Sequence, residues 1–168
     1  MSEHTDKQNF TAEEPVAVRP LTAFDTVISY LHSYRMNIDT KRAVYKQLQL
    51  EVADENLGYL KKRLKEFEKL EAGWDGYGDA IPVKKETIEL MRAFLMSCRP
   101  ADVSEWKLFP NVNGTLLLEQ DDAAISIASK EFSYYAENGN NYMESEHQEC
   151  SVAALIDTVR SINSFMLK

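Results

Sequence analysis

The stretch WKLFPNVNGTLLLEQDDAAISIASKEFSYYAENGNNYMESEH, residues 106–147, decides the fold. Its hydrophobic period is two. Trp106–Phe109 reads as a strand running into Pro110, Thr115–Gln120 follows, and Ala124–Ile127 alternates apolar with small residues. Phe132–Tyr135 and the more polar Tyr142–His147 continue the pattern. Between them stand turn signals: Asn113-Gly114, Asp121-Asp122, Lys130-Glu131 and Asn138–Asn141. Short strands joined by short turns predict an antiparallel meander. One face of it must be covered, and helices are the available cover.

Those helices flank the strands. After Pro82, Lys84–Ser97 carries a stripe of Ile88, Met91 and Leu95 that reaches Cys98, and Pro100 stops it. Ser151 is placed to cap a helix with Val152, Leu155, Ile156, Val159, Ile162 and Met166 on one side. Upstream, Phe24, Val27, Ile28, Leu31 and Tyr34 recur at helical spacing after Thr22. Within 39–70, Val44, Leu48 and Val52 form one apolar stripe and Leu57, Leu60, Leu64 and Phe67 another, with Asp54 a candidate cap for a second helix. The prediction is an α+β fold: an antiparallel β-meander of about four strands packed against two helices, with a helical N-terminal arm. Residues 1–20 read as a disordered tail, 21–72 as the helical arm and 73–168 as the α+β domain.

Composition narrows the function classes. The chain has 168 residues, 44% of them hydrophobic, enough for a core. A net charge of −8 argues against direct nucleic-acid binding, because phosphate contacts need Lys and Arg. Residues 1–20 lack the apolar region of a secretory signal, and no stretch has the length of a membrane span. Cys98 and Cys150 belong to no disulfide framework. The expectation is a cytoplasmic protein with reduced thiols.

Residues 73–79, Gly-Trp-Asp-Gly-Tyr-Gly-Asp, hold half of the six glycines. Three ligand readings fail on identifiable residues. Gly73 and Gly78 have phosphate-loop spacing, but Asp79 stands where lysine must meet the phosphates. Gly76-Tyr77-Gly78 begins a dinucleotide fingerprint, yet Ile81 fills the third glycine position. Asp75, Asp79 and Glu86 fall on calcium-loop positions, but Tyr77 and Ala80 occupy places that need a ligand and a glycine. The reading left is structural: Gly73 ends a helix in the left-handed conformation, Trp74 buries against the sheet, and Asp75 accepts from nearby amides in an Asx turn. Gly73, Trp74, Asp75, Gly76, Tyr77 and Gly78 are therefore assigned to a structural motif.

No nucleophile elbow, paired metal-ligand spacing or cofactor fingerprint is present, so no catalytic residue, metal or cofactor is assigned. The candidate binding residues are Tyr134, Tyr135, Tyr142, Glu144 and Glu146, an acidic and aromatic cluster on the last strands. They point to a non-catalytic module, of adaptor, immunity or antitoxin type, that binds a protein partner. The Leu57–Phe67 stripe offers a homodimer face. The rival reading is a small-ligand-binding protein or hydrolase using Asp75, Asp79 and Glu119.

The helix Tyr59–Leu64 with its Lys-Leu-Glu-Ala ending at Ala72, the segment Gly73–Gly78, Ile81-Pro82-Val83 and Pro110-Asn111-Val112-Asn113-Gly114 resemble a bacterial family of unassigned activity. In that family a charged helix enters a GWDGYGA-x-P motif, followed by a PNxNG hairpin and a hydrophobic strand. Asp79 departs from the usual Ala. The resemblance spans residues 40–165 and implies a small stand-alone protein; it implies a fold more than an activity.

Overall fold

The meander has five strands, in a single open sheet of order β1-β2-β3-β4-β5. They are β1 (Lys107–Pro110), β2 (Leu116–Gln120), β3 (Ala123–Ile127), β4 (Glu131–Asn138) and β5 (Asn141–Glu149). Every neighbouring pair is antiparallel. Among the described residues three α-helices accompany them: α1 (Ile38–Phe67), α2 (Lys85–Ser97) and α3 (Val152–Met166). A computed structural model of the chain describes residues 38–167, so the expected tail at 1–20 and the helical pattern at Thr22–Tyr34 lie outside the described residues. The sheet and its core lie within the compact unit Arg42–Lys168.

Strand alternation divides the sheet into two unlike faces. Leu108, Leu116, Leu118, Ile125, Ile127, Phe132 and Ala136 point into one core. Leu57, Leu60, Leu64 and Phe67 of α1 meet them there, as do Ile88, Met91, Phe94 and Leu95 of α2 and Leu155, Val159 and Ile162 of α3. All three helices therefore cover the same face. The Leu57–Phe67 stripe is a core face, and a self-contact through residues 57–67 would have only the charged side of the helix to use.

Two local expectations are corrected. Residues 38–67 form one 30-residue helix, so Asp54 sits mid-helix and caps nothing. Val52 and Leu50 are exposed, whereas Ala53 one residue on is buried. The helix also ends before Gly73: Lys69 N–H donates to the Glu66 carbonyl at 3.1 Å and Leu70 N–H to the Phe67 carbonyl at 3.2 Å, the tightened bonds of a closing last turn. The α3 cap is as expected, the Ser151 hydroxyl accepting from Ala154 N–H at 3.1 Å.

The β4–β5 ladder is irregular. Register shifts between Phe132 and Tyr134, and His147 on the bulged strand takes a φ of 54°. A two-residue turn, Gly139-Asn140, closes the same hairpin, with Gly139 in the left-handed region.

Candidate functional site

The face of the sheet opposite the helices carries the candidate cluster. One cross-strand row runs Lys107, Glu119, Ala124, Tyr135, Glu144 through all five strands. Beside it, Phe109 pairs with Leu117 and Leu117 with Ser126, while Glu137 pairs with Tyr142. No described helix packs on this face. Tyr135, Tyr142 and Glu144 are exposed, Tyr142 to 66%. Glu146 is exposed two residues further along β5. Tyr134 is not part of the surface: it packs against the core, its ring stacked 6.4 Å from that of Phe132. The alternation of side chains along β4 requires this, since adjacent tyrosines cannot share a face.

The surface is ordered by its own chemistry. Tyr135 hydroxyl donates to the Glu137 carboxylate at 2.7 Å. That bond stabilises the neutral phenol, and with the neighbouring acids it raises the Tyr135 pKa above its ordinary value. At the far end of β5, His147 Nδ1 lies 3.0 Å from Glu131 Oε2. The hydrogen bond and the charge of Glu131 raise the pKa of His147. At β4 and β5 the exposed face is thus tyrosine set among carboxylates, with apolar Phe109 and Leu117 towards β1.

The glycine segment does different work. Gly73, Gly76 and Gly78 all take positive φ. Gly73 N–H donates to the Ala80 carbonyl at 2.9 Å, closing the loop, and Tyr77 N–H donates to Asp75 Oδ1 at 3.1 Å in the expected Asx turn. Trp74 is only half-buried and its indole N–H reaches the Ile81 carbonyl at 3.3 Å, so it is a loop strut and not a sheet-buried anchor. The loop then latches onto the β1–β2 turn. Ile81 N–H donates to the Val112 carbonyl at 2.8 Å and Lys84 N–H to the Gly114 carbonyl at 3.3 Å. A Cβ on Gly114 would stand 3.1 Å from the Pro82 carbonyl oxygen, and its φ of 80° already excludes most side chains. The two motifs read separately in the sequence are one latch.

That placement separates the carboxylates of the rival reading. The glycine loop meets β2 at its Leu116 end, while Glu119 pairs with Lys107 near the other. The three residue steps from Leu116 to Glu119 span about 10 Å along the strand, before any lateral offset. Asp75, Asp79 and Glu119 do not converge. Among the described residues, no three His, Cys, Asp or Glu side chains are grouped as a metal site. Cys98 and Cys150 are both free thiols, and burial raises the pKa of each, Cys150 to about 11.

The residues that sequence reasoning missed form a buried polar hub under the covered face. Trp106, 1% exposed, donates its indole N–H to Asn163 Oδ1 at 2.9 Å. Gln120 Nε2 donates to the same oxygen at 3.1 Å, and Asn163 Nδ2 donates to the Asp102 carbonyl at 2.8 Å. Asn56 of α1 donates to the carbonyls of Val103 and Trp106 at 2.6 and 3.0 Å. The buried Asp102 carboxylate is gripped by Arg99 at 2.8 Å and Arg160 at 2.9 Å. Burial alone would raise its pKa; the hydrogen bonds from Arg99 and Arg160 outweigh that and hold it well below the usual carboxylate range. A hollow of about 400 Å³ borders the hub, with Glu105, Gln120, Asp121 and Asn163 among its walls. Ser104 also lines it.

No helix among the described residues is long and apolar enough to cross a membrane. No family model matches the chain, and no curated protein or solved structure matches it either.

Proposed function

We propose that this chain is a non-catalytic protein-interaction module, of adaptor, immunity or antitoxin type, that binds a basic partner protein through the open face of its sheet. The observation that carries the reading is the asymmetry of the sheet. One face is packed under three helices, while the other presents Tyr135 opposite Glu144 and Tyr142 opposite Glu137 with nothing described over them. Tyrosine supplies large contact area at low entropic cost, and surrounding carboxylates favour Lys- and Arg-bearing surfaces. Free Cys98 and Cys150 fit a reducing compartment, so the cytoplasm is the proposed location.

The test is site-specific photo-crosslinking in native cells from Tyr142, with exposed Ser97 on α2 as the control position. One protein should crosslink from Tyr142 and not from Ser97, and Glu144→Lys should abolish it. Equal crosslinking from both positions, or no dependence on Glu144, would sink the reading. The ligand-binding rival has a separate readout. Thermal-shift screening with nucleotides, divalent metals and metabolites would favour it only if a saturable stabilisation disappears in Asp75→Asn.

A further inference from the structure

We propose that the groove between α1 and α2 is a binding site for a small monocarboxylic acid with a compact apolar body. It lies on a different surface from the sheet face and stands on separate observations. Its walls are Lys61, Leu64 and Lys65 of α1 and Arg92, Leu95 and Met96 of α2. Leu64 and Leu95, both core residues, form the floor, and Met96 stands over them 74% exposed. An exposed methionine beside a leucine floor is an adaptable apolar contact.

The rim carries three cations, with the Glu68 carboxylate beside one of them. Lys61 and Lys65 stand one turn apart on α1, and Arg92 stands one turn before Met96 on α2. No carboxylate is among the lining residues. Arg92 is held by Glu68 at 3.0 Å, whereas neither Lys61 nor Lys65 makes an ion pair among the described residues. Lys61 and Lys65 beside an apolar floor, in a chain of net charge −8, are complementary to an anion that carries apolar surface, while Arg92 is already matched by Glu68. The arrangement selects a carboxylate over a phosphate. The walls come from helix interiors, whose backbone N–H groups are already bonded within the helix, so the amide cradle of a phosphate site is missing. Flexible ammonium groups at a solvent-facing rim suit a single carboxylate whose tail lies against Leu64, Leu95 and Met96.

Size sets the ligand class. The groove encloses about 240 Å³, below the roughly 300 Å³ at which drug-sized pockets begin. A carboxylate with an alkyl or aryl body of about eight carbons matches that scale.

Sodium octanoate, octylamine and 1-octanol, titrated against methyl-labelled protein by NMR, test the proposal. Octanoate should cause saturable shifts centred on Leu64, Leu95 and Met96, octylamine none, and octanol weaker ones. The double variant Lys61→Glu, Lys65→Glu should weaken octanoate at least tenfold with the circular dichroism spectrum unchanged, because both side chains are exposed. The proposal is overturned if octanol binds as tightly as octanoate, if the double variant binds normally, or if millimolar octanoate shifts no groove methyl. A variant with an altered spectrum would be replaced by Lys61→Gln, Lys65→Gln, for which the same loss is required.

Discussion

The two faces of one sheet show how the same strands can be built for opposite purposes. On the covered face, Leu108, Leu118, Ile125 and Ile127 are sealed under α1, α2 and α3, and Trp106, Gln120 and Asn163 are bonded to one another, while the buried Thr87 hydroxyl of α2 has no hydrogen-bond partner among the described residues. On the open face, one residue along each strand, Tyr135, Glu137, Tyr142 and Glu144 are exposed and bonded at most to each other. A shift of one position thus separates residues that hold the fold from residues free to hold something else. Stability and recognition should therefore respond to different substitutions.

The largest effect belongs to the covered side. Trp106→Ala removes a buried ring and leaves Asn163 and Gln120 with a broken network, so it should cost ~3–5 kcal/mol in denaturant unfolding. A loss near that of an exposed residue would mean that the hub does not support the fold. Asp102→Asn comes next, at about 2 kcal/mol near neutral pH, since it removes charge-assisted hydrogen bonds from a buried carboxylate while Arg99 and Arg160 stay part-exposed to solvent. The sign of its pH dependence follows from the depressed pKa. The native ion pair contributes fully above the unfolded value of about 3.9 and is lost as pH falls further. Native and variant stabilities should then converge in acid; parallel curves would break the assignment.

Trp74→Ala should cost less, about 1–2 kcal/mol, because Trp74 is half-buried and makes one long hydrogen bond. Tyr135→Ala closes the series at within about 0.5 kcal/mol, the ordinary range for an exposed substitution. Partner crosslinking is where its effect should appear. If Tyr135→Ala destabilises as strongly as Trp106→Ala, the two faces are not functionally distinct.

The strands, their turns and the apolar stripes of α2 and α3 were legible because each is a local periodic pattern. The facing of the two tyrosines is available in the same pattern but is misread when Tyr134 and Tyr135 are both assigned to the binding cluster. Tyr134 and Tyr135 are neighbours on a strand, and period-two reasoning allows only one of them on the open surface. What remained hidden was set by distant partners. Trp106 and Asn163 are 57 positions apart and Asp102 and Arg160 are 58, so no window of sequence shows that they meet. For the same reason Trp74, ringed by glycines, looked like the structural tryptophan, while Trp106 passed as the first residue of a strand. Asp54 illustrates a different failure. Its capping chemistry is real, but the core contacts of Leu57, Leu60 and Leu64 favour continuing one helix through it.

β5 is one of the two edge strands, and its outer backbone row has no described neighbour. Such an edge can template the addition of further chains without limit. The bend at His147 restricts this. An incoming strand would find uninterrupted pairing only over Asn141–Ser145, about 17 Å, before the left-handed residue turns the backbone out of register. The irregularity in the ladder therefore sets a length limit on strand addition at this edge, and straightening it would lengthen the backbone row open to an incoming strand.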